Sequence, residues 1–121
     1  MIPIYICDDD AYIRKAIKDE LEKEIMIRGY DMEVVCAEGK PENLLKYICA
    51  HKSRGIYFLD VELKGASMDG FLLGQEIRKQ DPRGFLIYVT AYEDLAYETF
   101  RFKLEALDYI VKGRPSEICL L

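Results

Sequence analysis

The sequence predicts a three-layer α/β sandwich built on a parallel β-sheet, and three observations lead there. Five short apolar runs alternate with segments of helical periodicity, the pattern of right-handed βαβ units. The run Ile56-Tyr57-Phe58-Leu59 is apolar at successive positions, not alternate ones, as in a strand buried on both faces. That run leads into an acid, Asp60, and the first run leads into Asp8 and Asp9. In open parallel sheets ligands bind beyond the carboxyl ends of the strands, so these carboxylates are placed for chemistry.

Taken in order, Ile4 to Cys7 reads as the first strand. Asp10 caps a helix whose recurring apolar positions are Ile13, Ala16, Ile17, Leu21 and Ile25, and Gly29 stops it. Met32 to Cys36 is the second strand. Pro41-Glu42 opens a second helix with Leu44, Leu45, Ile48 and Cys49 on its apolar face. Ile56 to Val61 forms the third strand, followed by the loop Lys64-Gly65-Ala66-Ser67-Met68. Asp69-Gly70 leads into a third helix with Phe71, Leu72, Leu73 and Ile77 inward, closed by Asp81-Pro82. Phe85 to Val89 is the fourth strand and ends on Thr90. A fourth helix is expected from Glu93 to Phe102, then a fifth strand from Leu107 to Val111 that ends on Lys112. Pro115-Ser116-Glu117 starts a last helix that the end of the sequence at Leu121 truncates, as in a piece of a longer chain.

Composition narrows the function classes. The 121 residues, half of them hydrophobic, suit a single domain with a sizeable core. A net charge of −5 and the lack of a basic cluster argue against this chain gripping nucleic acid by itself. No apolar run reaches membrane-span length, and Met1-Ile2-Pro3 runs into a strand without a signal-peptide pattern, so a cytoplasmic protein off the membrane is expected. Cys7, Cys36, Cys49 and Cys119 form no CxxC pair and read as buried thiols in a reducing compartment. His51, the single histidine, stands at a helix end without a metal-ligand pattern and reads as a surface or capping residue. Gly70 and Gly74 follow no phosphate-loop spacing and read as close helix packing. Tyr92, Tyr97, Phe100 and Tyr109 concentrate aromatic surface near the fourth helix and fifth strand, for the core or for a partner.

One rim of such a sheet gathers Asp8 and Asp9 from the first strand, Asp60 from the third, Thr90 from the fourth and Lys112 from the fifth. Each has a plainer reading as a cap, a loop acid or a surface charge; together they point to a site. Two carboxylates about 4 Å apart repel by roughly 4 kcal/mol at an effective dielectric of about 20. A third makes a divalent cation, or protonation, a requirement. Oxygen-only ligands suit Mg²⁺, which keeps positions for water and phosphate. Beside such a cation a carboxylate can attack phosphorus to form an acyl phosphate. Thr90 and Lys112 are suited to the charge on phosphoryl oxygens.

Five segments carry a resemblance to the receiver domains of two-component response regulators: Ile6-Cys7-Asp8-Asp9-Asp10, Phe58-Leu59-Asp60-Val61, Met68-Asp69-Gly70, Val89-Thr90-Ala91 and Asp108-Tyr109-Ile110-Val111-Lys112. It covers nearly the whole chain and implies a flavodoxin-like five-stranded sheet of order 2-1-3-4-5. It further implies Asp60 as phosphoacceptor and Asp9 as a direct Mg²⁺ ligand, with Asp8 acting through metal-bound water and the backbone carbonyl of Glu62 as a further ligand. Thr90 and Tyr109 would be the switch pair, and Lys112 the phosphoryl contact. A histidine kinase would be the donor, and a homodimer would form through the face of the fourth helix and fifth strand.

Residues Glu105 to Lys112, with Leu73 to Lys79, look most like quorum-sensing regulators of the accessory-gene-regulator type, which carry a LytTR DNA-binding domain. On that resemblance residues 1–121 are the receiver alone, and DNA is reached only through an output domain beyond it. Two departures from the family stand out. Gly113 replaces the proline usual after the lysine, so a trans link and an altered Lys112 loop are expected. The segment Leu63 to Met68 is longer than usual and lacks proline. Two other readings stay open. An aspartate-nucleophile phosphatase would need a second aspartate where Glu62 stands, and a receiver-shaped docking module would take no phosphate.

Overall fold

A computed structural model of the chain describes residues 1–51, 53–61, 63, 68–90 and 108–111, with Thr90 and residues 108–111 described as backbone only. The elements are β1 (Ile2–Cys7), α1 (Ala11–Arg28), β2 (Met32–Glu38), α2 (Pro41–Ala50), β3 (Ile56–Leu59), α3 (Gly70–Gln80), β4 (Phe85–Thr90) and β5 (Asp108–Val111). All neighbouring strands pair in parallel, in the order β2-β1-β3-β4-β5. This is the doubly wound, flavodoxin-like sheet expected from the sequence. The fourth helix, the last helix and the link from Lys112 to Gly113 lie outside the described residues.

The successive apolar positions of the central strands are explained by two separate cores. Side chains alternate across a strand, so Ile4, Ile6, Ile56, Phe58, Ile87 and Val89 pack with Ile17 and Leu21 of α1. Tyr5, Cys7, Tyr57, Leu59, Leu86 and Tyr88 pack on the other side with α2 and α3. A register shift opposite Ile4 and Tyr5 puts an extra residue into β2. Val35 and Cys36 consequently both pack against the α2/α3 core, where strict alternation would part them.

Helix ends follow the sequence closely. The Asp10 carboxylate accepts from the N–H groups of Tyr12 and Ile13, and Gly29 closes α1 at φ +67°. Asp69 caps α3 by accepting from the Leu72 N–H at 2.9 Å. His51 is the C-cap of α2 and stacks on Tyr47 at 4.1 Å between ring centroids.

Four expectations need correction. β3 ends at Leu59, because the chain turns at Asp60 so that Val61 can receive the Gly70 N–H. Ala16 is exposed, lying on the flank of the stripe that Ile17 and Leu21 define. Leu72 is 43% exposed because it points away from the side of α3 occupied by Gly70, Gly74 and Ile77. Cys49 is exposed and Cys36 half-buried, so of the three described cysteines, all free, only Cys7 is buried.

The amino end of the sheet holds a polar cluster that the sequence did not announce. Asp81 is buried, and its Oδ2 accepts from the Tyr57 hydroxyl and the Gly55 N–H, both at 2.8 Å. Burial first, and then the bond to Asp81, push the Tyr57 hydroxyl above its ordinary value, so it remains a donor. Asp81→Ala leaves both donors buried without their acceptor. The expected loss is about 3 kcal/mol of unfolding free energy, read from the denaturant midpoint; a midpoint within error of the parent would refute it.

Candidate functional site

β1 and β3 are adjacent and parallel, with Cys7 opposite Leu59. The residues that follow them therefore emerge side by side. Asp60 N–H donates to the Cys7 carbonyl at 2.9 Å, which carries the ladder one step beyond the strand. On the other flank Asp8 N–H donates to the Glu38 carbonyl at 3.1 Å. The Asp8 Oδ1 accepts from the Asp10 N–H at 2.9 Å, turning the chain toward α1. Arg14, one turn into α1, reaches back and donates to the Asp8 carbonyl at 2.8 Å. Gly39 makes room for it, since a Cβ there would lie 2.8 Å from Arg14 Nη1.

Asp8 and Asp60 are buried, 1% and 5% exposed, while Asp9 is partly open to solvent. Each of the three offers a carboxylate oxygen, and these oxygens all lie within 4.8 Å of one another. At that spacing each ionised pair repels by about 3 kcal/mol at an effective dielectric of about 20. The charge is felt next door: burial, and then the carboxylates of Asp8 and Asp60, push the Cys7 thiol up to about 12. Cys7 is therefore a thiol and not a nucleophilic thiolate at neutral pH.

The donor set fits a hard divalent cation. Oxygens bound directly to Mg²⁺ at about 2.1 Å lie roughly 3 to 4 Å from one another, and the ion retains waters that extend its reach. Three carboxylates within 4.8 Å suit such an ion, directly or through its waters. Nitrogen and sulfur donors are absent from the described cluster, which disfavours zinc.

The floor of the site is close-packed. Gly70, the first residue of α3, donates its N–H to the Val61 carbonyl at 2.7 Å. A Cβ at Gly70 would lie 2.0 Å from the Asp60 carbonyl oxygen and 2.8 Å from the Val61 Cα. The Gly70 carbonyl accepts from the buried Tyr88 hydroxyl at 3.1 Å.

The structure thus brings Asp8, Asp9 and Asp60 together as the sequence predicts. Thr90 and Tyr109 stand on neighbouring strands, Thr90 in register with Val111 and Tyr88 with Tyr109, placed by backbone alone. Glu62 and Lys112 lie outside the described residues. Sequence reasoning missed Arg14, Gly39 and Tyr88. The available signal was a tyrosine inside an unbroken apolar strand, because a buried hydroxyl needs a partner.

The strand order reverses between β1 and β3, and the acids sit at that switch point, so fold and site together define a flavodoxin-like domain with a pocket of three carboxylates. The chain belongs to the response regulator receiver domains, whose family model matches residues 4–120. Among curated proteins it is 39% identical over 115 residues to accessory gene regulator protein A of Staphylococcus epidermidis, covering 95% of this chain and 48% of that protein. The Staphylococcus aureus (strain N315) protein of the same name is 38% identical over the same shares. The chain spans about half the length of the curated relatives it matches.

Among solved structures, the response regulatory domain of mrkE from Klebsiella pneumoniae is similar with a TM-score of 0.80 at 28% identity, over 98% of this chain and 89% of that one. The response regulator TrrA from Thermotoga maritima, solved with Mg²⁺-BeF, has a TM-score of 0.74 at 29% identity, over 94% and 89% of the two chains. Receivers are signalling domains of two-component systems that bind Mg²⁺ at an acidic pocket, and response regulators are phosphorylated by histidine kinases. No helix among the described residues is long and apolar enough to cross a membrane.

Proposed function

We propose that the chain is the phosphoacceptor domain of a quorum-sensing response regulator, with Asp60 as the residue that takes the phosphoryl group. The observation that carries this reading is the trio Asp8, Asp9 and Asp60, drawn from two strand ends and each offering an oxygen within 4.8 Å of the others. Asp9 would hold Mg²⁺ directly, Asp8 through metal-bound water, and Asp60 and the Glu62 backbone carbonyl would complete the protein ligands. Bound there, the cation neutralises the pocket and the charge on phosphoryl oxygens.

An Asp60 carboxylate oxygen attacks the phosphorus of a phosphohistidine on the kinase. The new P–O bond forms as the P–N bond breaks, and the electron pair leaves with the imidazole, which takes up a proton. Lys112 contacts the phosphoryl oxygens. Thr90 and Tyr109 are the switch pair, and they carry the change to the face of β5 and the expected fourth helix. A homodimer through that face, a cytoplasmic location, and control of transcription through a LytTR-type domain outside residues 1–121 belong to the same reading. The accessory gene regulator names of the curated relatives support it.

The test is incubation with acetyl phosphate and Mg²⁺, followed by digestion to locate the added mass. One phosphoryl group per chain on the peptide containing Asp60, dependent on Mg²⁺, is the expected result. Mass on another residue, or none, rejects the proposal. Sizing with and without beryllofluoride reports the dimer, which should appear only with the mimic.

A further inference from the structure

The buried tyrosine of β4 lies outside every role assigned above, yet it is tied to the backbone that frames Asp60. Tyr88 is fully buried and is the register partner of Leu59, the last residue of β3 before Asp60. Its hydroxyl leaves the sheet and donates to the carbonyl of Gly70 at 3.1 Å. A carbonyl at the start of a helix accepts from the N–H four residues on, and its second lone pair remains for a side-chain donor. The Tyr88 ring is held by Phe71, with centroids 5.1 Å apart and planes at 53°. Hydroxyl and ring therefore engage two consecutive residues of the first turn of α3.

That turn has no slack toward Asp60. The Gly70 N–H is bonded to the Val61 carbonyl at 2.7 Å. A single added carbon on Gly70 would come within 2.0 Å of the Asp60 carbonyl oxygen. Any shift of the Gly70 peptide is thus passed directly to the Asp60–Val61 backbone, because the groups already touch. Burial first, and then the nearby Asp69 charge, push the Tyr88 hydroxyl above its ordinary value, so it stays a donor at working pH.

We infer that Tyr88 is a positioning residue for phosphoryl transfer: through its bond to the Gly70 carbonyl it fixes the start of α3 against the Asp60 backbone and so sets the reach of the Asp60 carboxylate. This rests on the reading of Asp60 as phosphoacceptor. In-line attack tolerates little error, and displacements near 1 Å can cost on the order of a hundredfold in rate. The chain has a long segment between Leu63 and Met68 without a proline to stiffen it. The Tyr88 bond from the sheet holds Gly70, the residue at which α3 begins.

The experiment compares Tyr88→Phe with Tyr57→Phe. Both remove one hydroxyl from a fully buried tyrosine, the first beside the site and the second at the Asp81 cluster on the opposite end of β3. Initial rates of labelling by acetyl phosphate at saturating Mg²⁺ are measured at a temperature where thermal denaturation shows both variants folded. Tyr88→Phe should slow labelling by about tenfold, and Tyr57→Phe should label at the parent rate even where it lowers the melting temperature more. If Tyr88→Phe labels at the parent rate, or if both variants slow in proportion to their loss of stability, the inference is overturned while the phosphoacceptor reading stands. If the parent chain itself takes up no phosphate, the reading fails and the inference falls with it.

Discussion

Asp60→Asn is expected to stay folded, and to take up no phosphate under conditions that label the parent chain fully. Asparagine matches aspartate in shape but offers an amide where the reaction needs an anionic oxygen, so the attack on phosphorus has no nucleophile. The fold should not suffer. The substitution removes one of three carboxylates whose oxygens lie within 4.8 Å, and an ionised pair at that spacing opposes the folded state by about 3 kcal/mol at an effective dielectric of about 20. Its unfolding midpoint without Mg²⁺ should therefore equal or exceed that of the parent. Mg²⁺ at about ten times its dissociation constant should stabilise the parent by roughly 1.4 kcal/mol, and stabilise the variant less. Labelling that persists in the variant would falsify the assignment of Asp60.

Gly70→Ala should be nearly as damaging for a different reason. The added Cβ meets the Asp60 carbonyl oxygen at 2.0 Å and the Asp60 carbonyl carbon at 2.8 Å. These are backbone atoms, which cannot swing aside as a side-chain tip would. Either α3 withdraws from the sheet or the Asp60–Val61 peptide moves. The first breaks the Gly70 to Val61 bond and opens the α2/α3 core, costing about 3 kcal/mol. The second displaces the carboxylate and should lower the labelling rate by about a hundredfold. A melting temperature and a labelling rate both unchanged would refute this prediction. Gly29 gives the contrast: nothing lies within 4 Å of a Cβ there, and only its positive φ resists substitution.

How much of this was legible beforehand depends on the range of the interaction. The order of the described elements, both caps of α1, the start of α3 and the acidic trio were readable, because each rests on local signals or on the rule that parallel strands share one carboxyl edge. Leu72 and Ala16 misled because an apolar residue can extend a stripe on paper while lying outside the arc that faces the sheet. The Tyr57–Asp81 and Tyr88–Gly70 bonds join residues 24 and 18 positions apart. No periodicity encodes such a pairing. What the sequence did contain was the hydroxyl on an otherwise apolar strand, a demand for a partner without the partner's address.

The Asp81 cluster and the acidic trio occupy opposite ends of β3, separated by the five steps from Gly55 to Asp60, about 16 Å of extended chain. Groups that far apart with no shared partners perturb stability independently. The buried bonds of Asp81 therefore stand at the pole away from the chemistry. Lineages descended from such a scaffold can retune how fast a signal is gained or lost while the Asp81 bonds stay untouched.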